Sequence, residues 1–333
     1  MMGFNRGGQM IKTKKLSIGV CALALVVSIK VQARYKVIYG DDDRVSASDS
    51  QTEQFVKWSK STAVQIENKK ISLETTEDGS EIFKISGTAL KDSFLGVCED
   101  EKFANTITAG NCSGFLVGPD LIVTAGHCMK PSFWNPDKIP CEQYQWVFNF
   151  TTASANSSTE AVVSKNDVYK CKEVVSMALS DTSKNDYALV RLDRMVEGKE
   201  PLKFRNSGQV KEGAPLVVIG HPSGLPTIIA DGANVRKNVS DFFFNANLDT
   251  FGGNSGSAVF NVVTGEVEGI LVRGERDYIT DTDAGCKRVY KCNDDECRGE
   301  DVTRITVIPE LVPGMTPDEP ATPDYYDPDT FDF

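Results

Sequence analysis

Only two histidines, His127 and His221, occur in the 333 residues. No pair of the nine cysteines has Cys-x-x-Cys spacing, and neither histidine has a partner at zinc-site spacing. A structural or catalytic zinc centre therefore has no ligand set to build on, and no metal is expected. An excess of base is lacking too: 36 Lys and Arg face 47 Asp and Glu, for a net charge of −11. That balance argues against nucleic-acid binding through a basic surface and for a soluble, self-repelling particle. No long stretch keeps a 3.6-residue apolar period, which speaks against a helical bundle. There is no internal repeat of 20–50 residues, which excludes a solenoid or a propeller.

What is present begins with an address. Lys12, Lys14 and Lys15 precede the apolar run Leu16 to Ile29, and "VQA" closes at Ala33 with compact residues suited to signal-peptidase cleavage. The run is too short for a membrane span, so the mature form is expected to have none. Residues 1–33 are read as a signal peptide, which places the protein in the periplasm or outside the cell. Their removal leaves 31 basic against 47 acidic residues. It also takes Cys21 away and leaves eight cysteines, an even count that in an exported chain suggests disulfides.

From Val37 onward the apolar segments are short, rich in Val, Ile and Phe, and punctuated by Gly, Pro, Asn or Asp. They lie at 115–125, 145–150, 186–192, 215–220, 241–247, 257–263, 267–273 and 302–308. This is an all-β pattern, and strands over more than 200 residues fit a pair of barrels better than one sandwich. Some helix is expected within 49–60. Residues 311–333 form an acidic, Pro-rich tail without a base, which cannot bury much surface.

Three strings carry chemistry. "CSGFLVGPDLIVTAGHC", Cys112 to Cys128, puts His127 after an apolar strand. "KNDYALVRLD", Lys184 to Asp193, puts Asp186 before one. "NLDTFGGNSGSAVF", Asn247 to Phe260, puts Ser255 in a glycine-bearing turn. Alone, His127 would suit a packed core, and Ser255 would suit any tight loop. Together they supply a base, an acid and an alcohol. A serine hydroxyl needs a neighbouring base to take its proton, and a neutral imidazole does so near pH 7. Asp181 and Asp193 also lie near Asp186, but only Asp186 leads directly into the strand. His221, in "GHPSGLP", has no acid or nucleophile of similar quality around it and is read as structural or as a rim residue.

The strings resemble the trypsin/chymotrypsin-like serine proteases in motif and in the chain order His127, Asp186, Ser255. That resemblance implies two packed six-stranded antiparallel β-barrels. Residues 61–200 would form the first, with His127 and Asp186, and 201–310 the second, with Ser255. Residues 34–60 would form an N-terminal segment or a short propeptide. It further implies a Cys112–Cys128 disulfide, an oxyanion hole from the backbone N–H groups of Gly253 and Ser255, and peptide hydrolysis through an acyl-enzyme without cofactor. The partner would be a protein or peptide substrate.

The sequence departs from the trypsin pattern at Asn254, which is neutral and cannot pair with a new N-terminal ammonium. "GNSGS" and "VIYGDDDR", Val37 to Arg44, resemble instead the bacterial glutamyl-endopeptidase-like branch, with Val37 as the mature start. Specificity stays open. Asp249, six residues before Ser255, leans toward a Lys or Arg P1 side chain, or else only caps a turn. Thr250 matches a residue that glutamyl endopeptidases use to bind Glu. Arg273 and Gly274 end the next wall, where Arg273 and Arg276 could attract an acidic side chain and Glu275 and Asp277 oppose them. Cys286 to Cys297 is expected to form a disulfide-stabilised loop near this pocket. The alternative function is a catalytically inactive binding module on the same fold. A lipase or esterase is disfavoured by the chain order and by Ser257, where an α/β-hydrolase would need glycine.

Overall fold

Twelve strands, each with β-branched or aromatic residues on its buried positions, make two closed rings in the computed structural model. It describes residues 38–131 and 139–312. The leader, Val37 and the tail from residue 313 onward lie outside the described residues. The first ring contains β1 (Thr62–Glu67), β2 (Cys112–Leu116), β3 (Leu121–Thr124), β4 (Tyr144–Phe148), β5 (Val168–Leu179) and β6 (Asp186–Leu192). The second contains β7 (Pro215–Gly220), β8 (Ile228–Lys237), β9 (Phe243–Ala246), β10 (Ala258–Asn261), β11 (Val267–Arg273) and β12 (Glu300–Arg304). All pairings within the rings are antiparallel.

The first ring closes in the order β1-β2-β3-β6-β5-β4, with β4 returning to β1. The second runs β7-β8-β9-β12-β11-β10, with β10 returning to β7. Counted from its own first strand, each barrel has the same cyclic order. Closure leaves few free edges, which limits edge-to-edge association.

The run 115–125 is not one strand but two. The turn through Gly118, Pro119 and Asp120 divides β2 from β3, because proline withdraws an N–H and fixes its φ. The run 302–308 likewise leaves the sheet after Arg304 and ends in a 3-10 turn, Ile305–Val307. The helix expected within 49–60 is Glu53–Ser59. It buries Phe55 and stacks Trp58 on Phe260 of β10, with ring centroids 4.5 Å apart.

One apolar cluster joins the rings. Phe115, Val123 and Leu189 of the first meet Val217, Ile219, Phe260 and Ile270 of the second, and Ile305, Val307 and Ile308 complete it. The N-terminal segment leans on the second barrel and the loops around it. Ile38–Tyr39 runs parallel to Lys291–Cys292, and Val45–Ser46 extends β8. Four disulfides close the chain: Cys98–Cys286, Cys112–Cys128, Cys141–Cys171 and Cys292–Cys297. The expected loop within 286–297 is therefore closed only from 292 to 297, while Cys286 reaches back to Cys98.

Candidate active site

Strand β3 runs out at Thr124, and the 3-10 turn Gly126–Met129 lifts His127 out of the sheet. Glycine is required before it. A Cβ at Gly126 would meet the carbonyl of Tyr187 at 2.9 Å and Oδ1 of Asp186 at 3.1 Å. Asp186 opens β6 and is buried. Its Oδ1 accepts the backbone N–H of His127 at 3.1 Å, and its Oδ2 lies 2.8 Å from Nδ1 of the imidazole. Burial pushes this carboxyl up. The charge and hydrogen bonds of His127, followed by the charge of Arg273, outweigh that and hold it below the usual carboxylate range. The acid is thus kept ionised on one side of the ring.

Ser255 lies in the turn between β9 and β10, and its backbone is held beside the Cys112–Cys128 disulfide that flanks His127. Its carbonyl accepts the N–H of Ser113 at 2.8 Å and lies 3.7 Å from Sγ of Cys128. Ligand atoms of Cys112, Cys128 and His127 lie within 4.8 Å of one another. The two sulfurs are bonded to each other, so this group is a disulfide packed against an imidazole.

The turn itself is tied on every side. Gly252 donates to Oδ2 of Asp277 at 2.6 Å, and its carbonyl accepts from Ser223 N–H. The carbonyl of Gly253 accepts from Ser113 Oγ at 2.9 Å. Gly256 N–H donates to Leu271 of β11. Gly253 has φ of +92°, and a Cβ there would meet Gly224 N and the His221 carbonyl at 2.8 Å, so only glycine fits. Among the described residues the N–H groups of Gly253 and Ser255 find no backbone acceptor. Asn254 is buried; it donates to Thr250 Oγ1 at 2.6 Å and accepts from Ser257 Oγ at 3.0 Å.

The candidate specificity residues fall differently from expectation. Asp249 does not present a free carboxylate. Its Oδ1 accepts Tyr39 N–H at 2.7 Å and its Oδ2 accepts Asp43 N–H at 3.3 Å, and the residue is buried. Burial pushes its pKa up to about 7, against the pull of those two N–H groups. It serves as an anchor for the N-terminal segment, as a turn-binding acid would. Thr250 is buried with its hydroxyl engaged by Asn254. Arg273 is turned toward Asp186, Asp301 and the carbonyl of Lys184. Gly274 accepts from Arg298 through its carbonyl. His221 is buried, its Nδ1 3.0 Å from the Leu225 carbonyl, and burial lowers its pKa to about 4.

Three contributors were invisible in the sequence. Ser113 fastens Gly253, Ser255 and His221 through its backbone and side chain. Asp277, expected only as an opposing charge, holds the glycine turn. Ser223, with φ of +53°, holds the other side of it. Each acts across more than twenty residues, where no local string points.

Residues 112–270 match the family of the trypsin-like peptidase domain. Among solved structures, a Glu endopeptidase in complex with MPD is 15% identical, with TM-score 0.44, over 81% of this chain and 94% of its own. The Rv3671c protease in its inactive form is 15% identical, with TM-score 0.41, over 78% of this chain and 90% of its own. The active form of that protease from M. tuberculosis is 14% identical, with TM-score 0.38, over 81% and 86%. No curated protein matches the chain.

Proposed function

Since the chain belongs to the trypsin/chymotrypsin-like serine endopeptidases, we propose that it cleaves peptide bonds with Ser255 as nucleophile, His127 as general base and Asp186 as the acid that orients it. The observation that carries this reading is the 2.8 Å contact from Asp186 Oδ2 to Nδ1 of His127. It favours the tautomer with the proton on Nδ1, in which Nε2 is the accepting nitrogen. Ser255 Oγ attacks the scissile carbonyl as its proton passes to Nε2. The oxyanion forms against the N–H groups of Gly253 and Ser255, whose turn is already fixed by Asp277, Ser223 and Ser113. The imidazolium then protonates the leaving amine, and water hydrolyses the acyl-enzyme by the reverse path.

The charges of the pocket wall are largely spent within the protein. Asp249 is taken up by the N-terminal backbone, and Arg273 by Asp186 and Asp301. We therefore read selection of P1 by charge, whether for Lys and Arg or for Glu, as weak. Export to an oxidising compartment, periplasmic or extracellular, is supported by the four disulfides. Among the described residues no helix is long and apolar enough to cross a membrane.

A peptide library digested by the wild type and by Ser255→Ala tests these statements together, with fluorophosphonate labelling run in parallel. The expected result is labelling of the wild type alone, loss of about 10⁶ in kcat for the variant, and no marked P1 preference for either charge. An unlabelled, inert wild type would leave a binding module in its place.

A further inference from the structure

Arg273 ends β11, in the second barrel, yet two of its partners, Asp186 and Lys184, belong to the first. Its Nη1 stands 3.8 Å from Oδ2 of Asp186, the same oxygen that meets the His127 ring. Its Nη2 donates to the carbonyl of Lys184 at 2.9 Å, and Lys184 sits at φ of +60° just before Asp186. Its Nε lies 3.5 Å from Asp301 Oδ2 in β12, and its guanidinium lies 5.7 Å from the centre of the Phe243 ring. The strand is shaped to deliver it. Leu271 faces Val302 and Arg273 faces Asp301, so Val272 is an extra residue, a bulge that re-aims the strand end. Surface ion pairs commonly contribute little, but this carboxylate is only 3% exposed.

We propose that Arg273 is a positioning residue that clamps the loop before Asp186 across the two barrels and sets a fixed positive charge against its carboxylate, so that His127 stays neutral and able to act as base to lower pH. The proposal rests on the triad reading above. The carboxylate stabilises an imidazolium; a cation on the same oxygen draws part of that stabilisation away. The charged groups facing Asp186 are His127 from the 3-10 turn and Arg273 from β11. Strand β5, beside it, contributes Ala178 and Leu179, which carry no charge. Behind Arg273 stand Asp301 and its ion-pair partner Arg298, and Lys184 is on the loop leading to Asp186 itself.

The test is the pH profile of kcat/KM for Arg273→Gln and Arg273→Lys, with the titration of the His127 imidazole followed by NMR in both. With two histidines in the chain, a His221→Gln background assigns the signal. In Arg273→Gln the acid limb and the NMR midpoint should rise together by about half to one pH unit. Activity at pH 6 then falls about threefold to tenfold more than at pH 8. Arg273→Lys should return most of the shift. An acid limb that stays in place, or moves down because a loosened Asp186 stabilises the imidazolium less, overturns the proposal. So does an unmoved NMR midpoint. Thermal unfolding of each variant separates lost stability from a changed titration. Residual peptidase activity in Ser255→Ala would instead overturn the triad reading, and the NMR midpoint stands apart from that result because it requires no turnover.

Discussion

The two barrels share one cyclic strand order and differ in what they bury. Among the described residues, the strands and turns of the first ring bury two carboxylates, Asp167 and Asp186, and their other buried polar residues, such as Thr62, Gln65, Ser113 and Thr124, carry no charge. Those of the second bury Asp249, Glu268, Glu300, Asp301 and Arg304. The first ring is also tightened by Cys141–Cys171, which ties the chain ahead of β4 to β5. The physical lesson concerns what each must hold. The first barrel presents two side chains from strand ends, and a cross-linked body with few buried charges suffices. The second must hold a turn of backbone N–H groups in an unusual conformation, and only fixed acceptors can do that. Asp277 and the Gly252–Gly253 turn are the clearest case.

The largest effect expected from breaking this division is at the glycines of the two site turns. Gly253→Ala strains φ at +92° and drives a methyl against Gly224 and His221. It should turn one of the proposed oxyanion donors away and lower kcat by about 10²–10³ with little change in KM. Gly126→Ala presses on the carbonyl of Ala178 in β5 and on Tyr187 and Asp186 in β6 instead. Its activity loss should come with a lower melting temperature, because the turn is driven off β5 and β6. Equal melting temperatures for the two variants would erase the contrast between a backbone site and a side-chain site.

The next effect is on stability alone. Arg205 pairs with Glu268 of β11, whose side chain is fully buried and also accepts from Asn261 at 2.9 Å. Removing the arginine leaves that carboxylate buried without its cation, so Arg205→Met should cost about 3 kcal/mol or more. Arg191, in the first barrel, pairs with Asp120 and Glu173 on a half-exposed surface. Arg191→Met should cost less than about 1 kcal/mol. Urea unfolding of both variants measures the difference, and similar losses would mean that the second barrel does not depend on its buried charges.

The same division explains what the sequence could announce. His127, Asp186 and Ser255 each sit in a local string whose turn residues and flanking strand are contiguous, so composition and order single them out as candidates. Strands β6, β7, β10 and β11 were equally legible, because each is a short run buried along most of its length. β5 was not: nine of its twelve positions lie between half-buried and exposed in a pattern that breaks alternation, with bulges between Cys171 and Glu173 and between Val174 and Ser176. β1 hides because polar Thr62 and Gln65 are buried in it, Gln65 bonding to the Cys128 carbonyl at 3.3 Å. Arg273 and Asp249 misled for one reason. A charge in sequence near a pocket says nothing of its partner, and both partners come from distant segments. The repeated strand order left no trace in the residues, since backbone pairing defines it and unlike side chains satisfy it.

The smallest signal is a change of slope with pH. Asp277 is partly buried, and desolvation pushes its carboxyl up to about 7, opposed by the Gly252 N–H. A carboxyl raised in the folded state is protonated there while the unfolded chain has already lost the proton. Its contribution is therefore fully present below the ordinary value near 4 and is lost as pH rises through 7. Asp249, raised for the same reason, acts in the same direction. Asp186, held low, acts in the opposite one and loses its contribution as pH falls. Asp277→Asn keeps a carbonyl for the Gly252 N–H and removes the titration. Unfolding free energies measured from pH 4 to pH 8 should then fall less steeply than in the wild type, by at most about 1.4 kcal/mol per pH unit, the limit for one proton. Parallel curves would show that the glycine turn is held by a carboxylate that stays ionised. The second barrel would then be a permanently charged scaffold rather than one that draws part of its stability from protonated acids.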